Sequence, residues 1–232
     1  MARARVARAS YTGTLIRSPR AIRRAPSAAI MSRTWLRISG DTSRTPSGSA
    51  FASEPALVAG WRDGLAIVNL RGNAEDSAFR TAASRALGLE LPVLACTTST
   101  GATHRVVWAG PDDWFVIGPE GQADALVLQL RTALAGIHHA VTDVSSGYTV
   151  PHLSGAPVRE VLAQGCPLDL HPRVFKSGDS AGSHFFRASI WLWQAGEAPT
   201  FEVLVRRSFM GYCWLMLERS TQECGLVTRG VE

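Results

Sequence analysis

From about Trp61 onward, short apolar runs of strand length alternate with segments whose apolar residues have helical spacing, and turn-forming residues separate them. In the first half, the run 64–70 predicts a strand, and Asn73 and Gly88 are placed to begin and end a helix over 74–87. The remaining predicted elements of this half are a strand over 104–108, a turn over 110–113, a strand over 114–117, a helix over 122–134 and a strand over 139–144. This order, strand, helix, strand, strand, helix, strand, is that of a ferredoxin-like unit.

The second half follows a similar plan. Its predicted elements are strands over 148–153, 185–194 and 200–205 and helices over 156–164 and 209–219. Two such units, about 60–145 and 146–232, predict a pseudo-duplicated α+β domain joined near residues 145–147. A doubly wound parallel sheet also alternates strands with helices. The turns at 110–113 and 194–199 each join neighbouring strands as hairpins, which favours the α+β fold.

Residues 1–59 lack a sustained apolar period and are rich in Arg and Ser, so we expect a disordered tail. An organelle transit peptide, a basic interaction arm and an over-extended reading frame that truly starts at Met31 are three interpretations of this tail.

The net charge of +5 comes from this tail. The first forty residues contain nine of the 24 Arg and Lys residues and no acid, which leaves 15 basic residues against 19 acidic ones from Asp41 onward. The folded part is therefore mildly acidic, and we expect no nucleic-acid partner.

The sequence contains no apolar stretch of membrane-spanning length and no glycine-rich nucleotide motif, and no G-x-S-x-G nucleophile elbow occurs. Four cysteines stand far apart without a CxxC pair, and His138 and His139 are adjacent in a predicted strand, so their side chains point to opposite faces. We therefore expect no membrane segment, no metal site and no catalytic residue in this chain.

Aromatic and Arg residues mark a candidate interface. Trp191 and Trp193 are two apart in a predicted strand and so share one face, and Trp214 lies on the apolar face of the last predicted helix. Such a stripe is typical of a core or of a partner interface. Arg206 and Arg207, between strand and helix, are placed either to bind carboxylates of a partner or to remain solvated.

Two acidic residues lie in predicted bends. Asp143 precedes Ser145 and Gly147 at the joint between the halves, where a carboxylate braces the bend or, alternatively, contacts a ligand. Asp169 precedes His171 in a loop between two prolines, where it either tunes the charge of the imidazole or belongs to a rigidly packed loop.

Four segments carry a resemblance to a known family. They are WAGPDDWFVIGP at 108–119, TDVSSGYT at 142–149, LSGAPVREVLAQGCPLDLHPRVF at 153–175 and VRRSFMGYCWLML at 205–217. In this order they resemble the gamma subunit of heterotetrameric sarcosine oxidase, over about residues 64–223. The resemblance implies a fold similar to the folate-binding domain of the glycine cleavage T protein.

The resemblance also implies a role. The chain would be a non-catalytic subunit of a cytoplasmic complex with alpha, beta and delta subunits, which oxidises sarcosine to glycine with tetrahydrofolate and oxygen and yields 5,10-methylenetetrahydrofolate and hydrogen peroxide. FAD, FMN, NAD and tetrahydrofolate would be bound by other subunits and none by this chain alone. A different hypothesis is a stand-alone folate-binding one-carbon transferase or folate sensor, in which Asp143 or Asp169 would bind the pterin ring.

Overall fold

The computed structural model describes residues 56–62 and 64–229. Residues 1–55 of the tail predicted over 1–59, with the alternative start at Met31, lie outside the described residues. The described strands are β1 (Leu57–Arg62), β2 (Leu65–Gly72), β3 (Thr98–Thr100), β4 (Arg105–Gly110), β5 (Asp113–Glu120), β6 (His139–Asp143), β7 (Tyr148–Ser154), β8 (Ser180–Phe185), β9 (Ala188–Gln194), β10 (Thr200–Arg206) and β11 (Leu226–Thr228). The described α-helices are α1 (Ser77–Leu87), α2 (Ala123–Ala133), α3 (Val158–Ala163) and α4 (Met210–Ser220), and 3-10 turns occur at Ser145–Gly147 and Arg207–Phe209.

The strands form two sheets that correspond largely to the two predicted halves. The first sheet has the order β3-β4-β5-β2-β6, and all its neighbouring strands are antiparallel. The second has the order β11-β1-β7-β10-β9-β8 and is antiparallel except for the pair β1 and β11. The predicted α+β class is confirmed.

Three apolar clusters arrange these elements in four layers. The outer face of the first sheet packs on α1 and α2 through Phe79, Leu126 and Leu130, while the outer face of the second packs on α3 and α4. The third cluster lies between the sheets and contains side chains of both, among them Phe115 and Trp193. The two sheets therefore share one continuous interior. Each large apolar side chain buried there contributes about 1.5–3 kcal/mol.

The N-terminal boundary of the folded region differs from the prediction. Strand β1 begins at Leu57, inside the predicted tail of residues 1–59, and Leu57 and Ala59 are fully buried. Its pairing with β7 and β11 joins it to the second sheet, although it precedes the first half in sequence. Local composition did not indicate this strand because its partners lie far along the chain.

Two details of the helices and strands also correct the predictions. Helix α1 is capped by Asp76, whose side chain accepts a hydrogen bond from the Ala78 amide, whereas Asn73 closes the preceding turn; Gly88 ends the helix as predicted, with φ of 69°. The strand predicted over 185–194 corresponds to β9 and the turn before it, whereas β8, which pairs with β9 as a hairpin, lies almost entirely outside the prediction.

Strand β7 lies inside the second sheet, between β1 and β10, although its Pro151 predicts an edge strand or a bulge. The register between β7 and β10 is the same on both sides of this residue, and Pro151 and Val150 simply have no paired partner in β10. Proline lacks an amide hydrogen, so the sheet accommodates Pro151 by leaving out the pairing between β7 and β10 at this position.

Candidate functional site

Four polar side chains meet between the two sheets. Glu202 on β10 accepts a hydrogen bond from the indole nitrogen of Trp193 on β9, with Oε2 and Nε1 2.8 Å apart. Arg105 of β4, in the first sheet, places its Nε 3.8 Å from the same oxygen. His152 of β7 has its buried Nδ1 3.8 Å from Glu202 Oε1, too far for a hydrogen bond. This polar cluster links the sheets across their shared interior.

The surroundings of Glu202 keep its carboxylate charged. Burial raises the pKa of Glu202, but His152, the charge of Arg105 and the Trp193 hydrogen bond together outweigh that effect and leave the pKa below its ordinary value. Burial lowers the pKa of Arg105, and nearby Arg62 acts in the same direction while Glu202 opposes it. The cluster is thus a largely buried ion pair, with side-chain exposure of 17% for Arg105 and 16% for Glu202.

The predicted tryptophan stripe lies on the same inward face. Trp193 is fully buried, and the half-buried Trp191 packs edge-on against Phe115 of the first sheet, with ring centroids 5.2 Å apart. Trp193 is therefore not accessible to a partner in this conformation, whereas the half-buried Trp191 keeps part of its surface exposed; both rings pack in the contact between the sheets.

The other predicted interface residues lie together at one end of the second sheet. Arg206, at the end of β10, is exposed, and its guanidinium lies 5.5 Å from the ring centre of Tyr148. Trp214 of α4 packs edge-on against Trp61 of β1, with ring centroids 5.2 Å apart, and its indole donates to Glu218. We call the residues around the junction of β10 and α4, namely Trp61, Arg206, Phe209, Trp214 and Leu215, the α4 corner; Arg206 projects on the side of Tyr148, whereas Trp214 belongs to the apolar cluster on the α4 side of the sheet.

The α4 corner combines exposed apolar groups with a cation. Phe209 and Leu215 are 42% and 45% exposed. Arg207 differs from Arg206 because its guanidinium donates to the backbone oxygens of Ser146 and Tyr148, both at 3.2 Å. Arg207 therefore holds the joint between the halves, whereas the exposed Arg206 can reach a carboxylate outside the chain.

Both candidate folate contacts are exposed turn residues. Asp143 Oδ1 accepts from the backbone amide of Ser145 at 2.9 Å and from its hydroxyl at 2.5 Å, and the Ser145 oxygen accepts from the Ile67 amide at 2.9 Å. Asp169 Oδ1 accepts from the His171 amide at 2.9 Å. Each carboxylate thus closes its own bend, and the structure does not bring the two together in a described pocket.

Arg159 of α3 organises the loop that contains Asp169. Its guanidinium donates to the backbone oxygens of Leu170 and Phe175 and, at 2.7 Å, to the side-chain oxygen of Gln194. The same group stacks over the Phe201 ring, 5.0 Å from its centre. The loop is therefore fixed from its inner side.

A small apolar cavity lies between α4 and the outer face of the second sheet. It has a volume of about 30 Å³ and is lined by apolar side chains that include Leu153, Ile190 and Leu217. Burial raises the pKa of the lining thiol of Cys213 to about 11. Ligand sites for drug-sized molecules enclose about 300–1,000 Å³, so this cavity is too small for a pterin or a flavin.

Comparison with known proteins decides the family. The family model described as the sarcosine oxidase gamma subunit family matches residues 71–223, well over half of the chain. The chain belongs to this family. A gamma subunit of sarcosine oxidase from Arthrobacter sp. is 36% identical over 143 residues, which cover 60% of this chain and 69% of that protein.

Solved structures agree with the family. Heterotetrameric sarcosine oxidase from Corynebacterium sp. U-96, in complex with pyrrole 2-carboxylate, contains a chain that matches with a TM-score of 0.70 and 26% identity, over 76% of this chain and 89% of that one. Glycine cleavage system aminomethyltransferase T from Bartonella henselae matches with a TM-score of 0.56 and 12% identity, over 76% of this chain and 48% of that one. At that identity the second match shows the fold alone.

The gamma subunit family match contains most of the features above. Residues 71–223 include the polar cluster, Arg159 and all of the α4 corner except Trp61, which lies on β1. Within the described part of this family member, no three His, Cys, Asp or Glu side chains are grouped to hold a metal ion. No described helix has both the length and the hydropathy needed to span a bilayer.

Sequence reasoning missed the polar cluster and Arg159. Strand β10 has apolar residues on both of its faces, which indicates a strand that is covered on both sides. Glu202 is a charged residue within this apolar pattern. A charge at such a position needs a partner. Its partner Arg105 comes from the other sheet, and the sequence did not indicate which residue that would be.

Proposed function

We propose that this chain is the non-catalytic gamma subunit of a heterotetrameric sarcosine oxidase and supports assembly with the flavin-bearing subunits. The observation that carries the proposal is the α4 corner, where exposed apolar groups and the exposed Arg206 flank the junction of β10 and α4 in a member of the gamma subunit family. The described polar clusters fit this role because their groups are used within the chain: Glu202 binds Trp193, Arg159 binds a loop, and Asp143 binds its own turn.

The partners of this subunit are the alpha, beta and delta subunits of a cytoplasmic complex. That complex oxidises sarcosine with oxygen and tetrahydrofolate to glycine, hydrogen peroxide and 5,10-methylenetetrahydrofolate. FAD, FMN, NAD and the folate are held by the other subunits.

The two halves of the chain are ferredoxin-like units in this proposal. Support comes from the strand order β4-β5-β2-β6 in the first sheet, which is the order that a split βαβ unit produces. The matching order in the second sheet is β9-β10-β7-β1, and its last position is occupied by the N-terminal strand rather than by the strand that follows α4. In the second unit, β1 would thus take the place that the strand after the second helix has in the first unit.

The α4 corner would bind a partner by burying Phe209 and Leu215 around Trp214 while Arg206 pairs with a partner carboxylate. Aromatic and Arg residues contribute much of the binding energy at protein interfaces. A charge placed at the centre of such a contact loses its water without gaining a partner, which weakens binding by about 3 kcal/mol, or about a hundredfold.

The test is tagged co-purification with the other subunits from the native cell, with subunit identification and a flavin absorption spectrum. We expect Leu215→Arg and Arg206→Ala to reduce the recovered complex and to leave the turnover of any complex still formed unchanged. Leu128→Arg is the matched control, since Leu128 is 68% exposed on α2 in the opposite outer layer. A wild-type chain that purifies alone and binds tetrahydrofolate would refute the accessory role.

A further inference from the structure

The two sheets have four edges, and three of them are short or protected. Strands β3 and β11 contain three residues each. Strand β6 contains five, and Arg131 of α2 donates to its Val141 carbonyl at 2.8 Å. Open edges invite pairing with other chains, and short strands or nearby charged side chains prevent it. These three edges are therefore poor templates for a further strand.

The fourth edge, β8, is covered only at its start, where the Ser180 amide and hydroxyl donate to the backbone oxygens of Cys96 and Thr97. It consists of six residues, SAGSHF, with no Lys, Arg, acid or Pro, and its register with β9 is continuous from Ser180 to Phe185. No β-bulge turns this edge away from solvent. Beyond Ser180, strand β8 is thus long enough to pair with a further strand.

Hydrogen bonds at its first residue show which backbone groups face outward. The Ser180 amide donates to the Cys96 carbonyl at 2.8 Å, across the side of β8 that faces away from β9. Backbone groups alternate along an antiparallel strand, so the amide and carbonyl of Gly182 and of His184 also face outward. Both residues are exposed, and no described residue pairs with their backbone groups.

The side chains around this edge favour an uncharged partner strand. Gly182 leaves space beside the half-buried Trp191, whose Nε1 lies 3.2 Å from the position that a Cβ on Gly182 would occupy. On the other face, Ala181 and Ser183 present small groups. An added strand would lie beside β8 in the plane of the sheet, and its side chains would flank Trp191 on one face and the small residues on the other, where a charged side chain would lose water without gaining a partner.

We propose that β8 accepts an extended, uncharged segment of another subunit as a seventh strand, paired through the backbone of Gly182 and His184. This inference rests on the proposed function, since the partner is a different chain of the same complex. A different chain is the favoured occupant because the solved relative is heterotetrameric. Backbone pairing at a sheet edge is an established mode of peptide recognition.

The test compares two substitutions at one position in the tagged complex. His184→Pro removes the outward amide hydrogen without removing a bond to β9, and proline is tolerated at edge strands. His184→Ala removes the same side chain and keeps the amide. We expect His184→Pro to weaken assembly about tenfold or more and His184→Ala to have an effect of less than about threefold, because only the first loses a backbone hydrogen bond.

Hydrogen exchange on the wild-type proteins provides a measurement that does not depend on a variant folding. The amides of Gly182 and His184 should exchange rapidly in the isolated chain and at least about tenfold more slowly in the purified complex. A complex that carries the flavin subunits but leaves both amides unprotected would overturn this inference and leave the proposed function intact. Failure of the wild-type chain to join the complex would overturn both. Protection in the isolated chain that disappears on dilution would show that a second copy occupies the edge, which also overturns the inference.

Discussion

Replacing Arg105 with methionine is expected to weaken the packing between the sheets, because it leaves the charged Glu202 buried without its cation. Two unit charges 3.8 Å apart attract by about 4 kcal/mol at an effective dielectric constant of 20. Side-chain exposure of 17% and 16% allows water to screen part of this, and desolvation of Arg105 already offsets another part. We therefore expect Arg105→Met to lower the free energy of unfolding by about 2 kcal/mol.

The assay is urea unfolding of the full chain at pH 7, with Arg105→Met, Glu202→Gln and the double variant. Methionine keeps most of the packing of the arginine stem over the Trp193 ring, which lies 5.7 Å from the guanidinium. Glutamine can still accept the Trp193 hydrogen bond. Each single variant leaves the other charge buried without its partner, and the double variant removes both charges. The loss in free energy of unfolding should therefore be smaller for the double variant than the sum of the two single losses, by about 1–2 kcal/mol.

Arg71→Met is the matched control for this prediction. Arg71 and Asp112 approach more closely, at 3.1 Å, but their side chains are 52% and 59% exposed, so their pair should contribute less than about 1 kcal/mol. A loss for Arg105→Met no larger than the loss for Arg71→Met, or strictly additive effects in the double variant, would refute the conclusion that the buried pair joins the sheets.

Three further predictions concern acid, packing and thiols. The pKa of Glu202 is lowered in the folded state, so its contribution to stability is present above the ordinary value of 4.5 and is lost as the pH falls through the folded pKa. Below pH 4.5, the free energy of unfolding should therefore fall more steeply in the wild type than in Glu202→Gln, by up to about 1.4 kcal/mol per pH unit. Gly72→Ala should lower the free energy of unfolding by about 1–3 kcal/mol in thermal melts, because the new Cβ would lie 2.2 Å from the Phe79 ring. Iodoacetamide at pH 8 should label the exposed Cys96 well before Cys213, whose pKa is raised to about 11 by burial, as read by mass spectrometry.

Each of these has its own control. Equal acid slopes for wild type and Glu202→Gln would mean that the carboxylate is not stabilised by folding. Gly147→Ala, where no atom lies within 4 Å of the added carbon, should be nearly neutral, and an equal loss there would contradict the packing argument. Labelling of the urea-unfolded chain should remove the difference between the two thiols.

The first sheet could be predicted from the sequence because its signals are local. The turn at 110–113 contains Gly and Pro between two apolar runs, and β4 and β5 pair directly across it. Gly88 has the left-handed conformation that ends α1. Each of these residues determines the chain direction within a few positions of itself, so no distant contact was needed.

The second sheet was harder to predict because its decisive features are long-range or lack the usual turn residues. The turn between β8 and β9 is formed by Phe186 and Arg187 rather than by Gly, Asn or Pro, and Phe186 has a positive φ of 51°. The turn therefore carries no sequence signal of its own, which suggested one strand. Strand β1 is stabilised by β7 and β11, about 90 and 170 positions later, and no pattern near Leu57 indicates either partner.

The same limit applies to the candidate site. The sequence predicts Arg206 and Trp214 as interface residues because Arg and aromatic residues cluster within one short segment, and the structure leaves Arg206 exposed. Trp193 shares that composition, yet the opposing first sheet covers it. Whether an aromatic stripe faces a partner or the interior thus depends on which layer covers it, and the residues that reveal this, Arg105 and Phe115, belong to the other half of the chain.

The second sheet carries both proposed contact surfaces, and the first sheet stiffens it. The α4 corner lies at one end of β10, and the open edge lies two strands away at β8. Both are connected to the polar cluster, since Glu202 belongs to β10 and Trp193 to β9, the strand next to β8. Because Arg105 joins this cluster to the first sheet, loss of its charge should weaken binding at both contact surfaces. In contrast, Leu215→Arg should weaken binding only at the α4 corner, and His184→Pro only at the β8 edge. Separate losses in assembly for the latter two variants, and a combined loss for Arg105→Met, would therefore be the pattern expected of a subunit that holds two partner segments on one sheet.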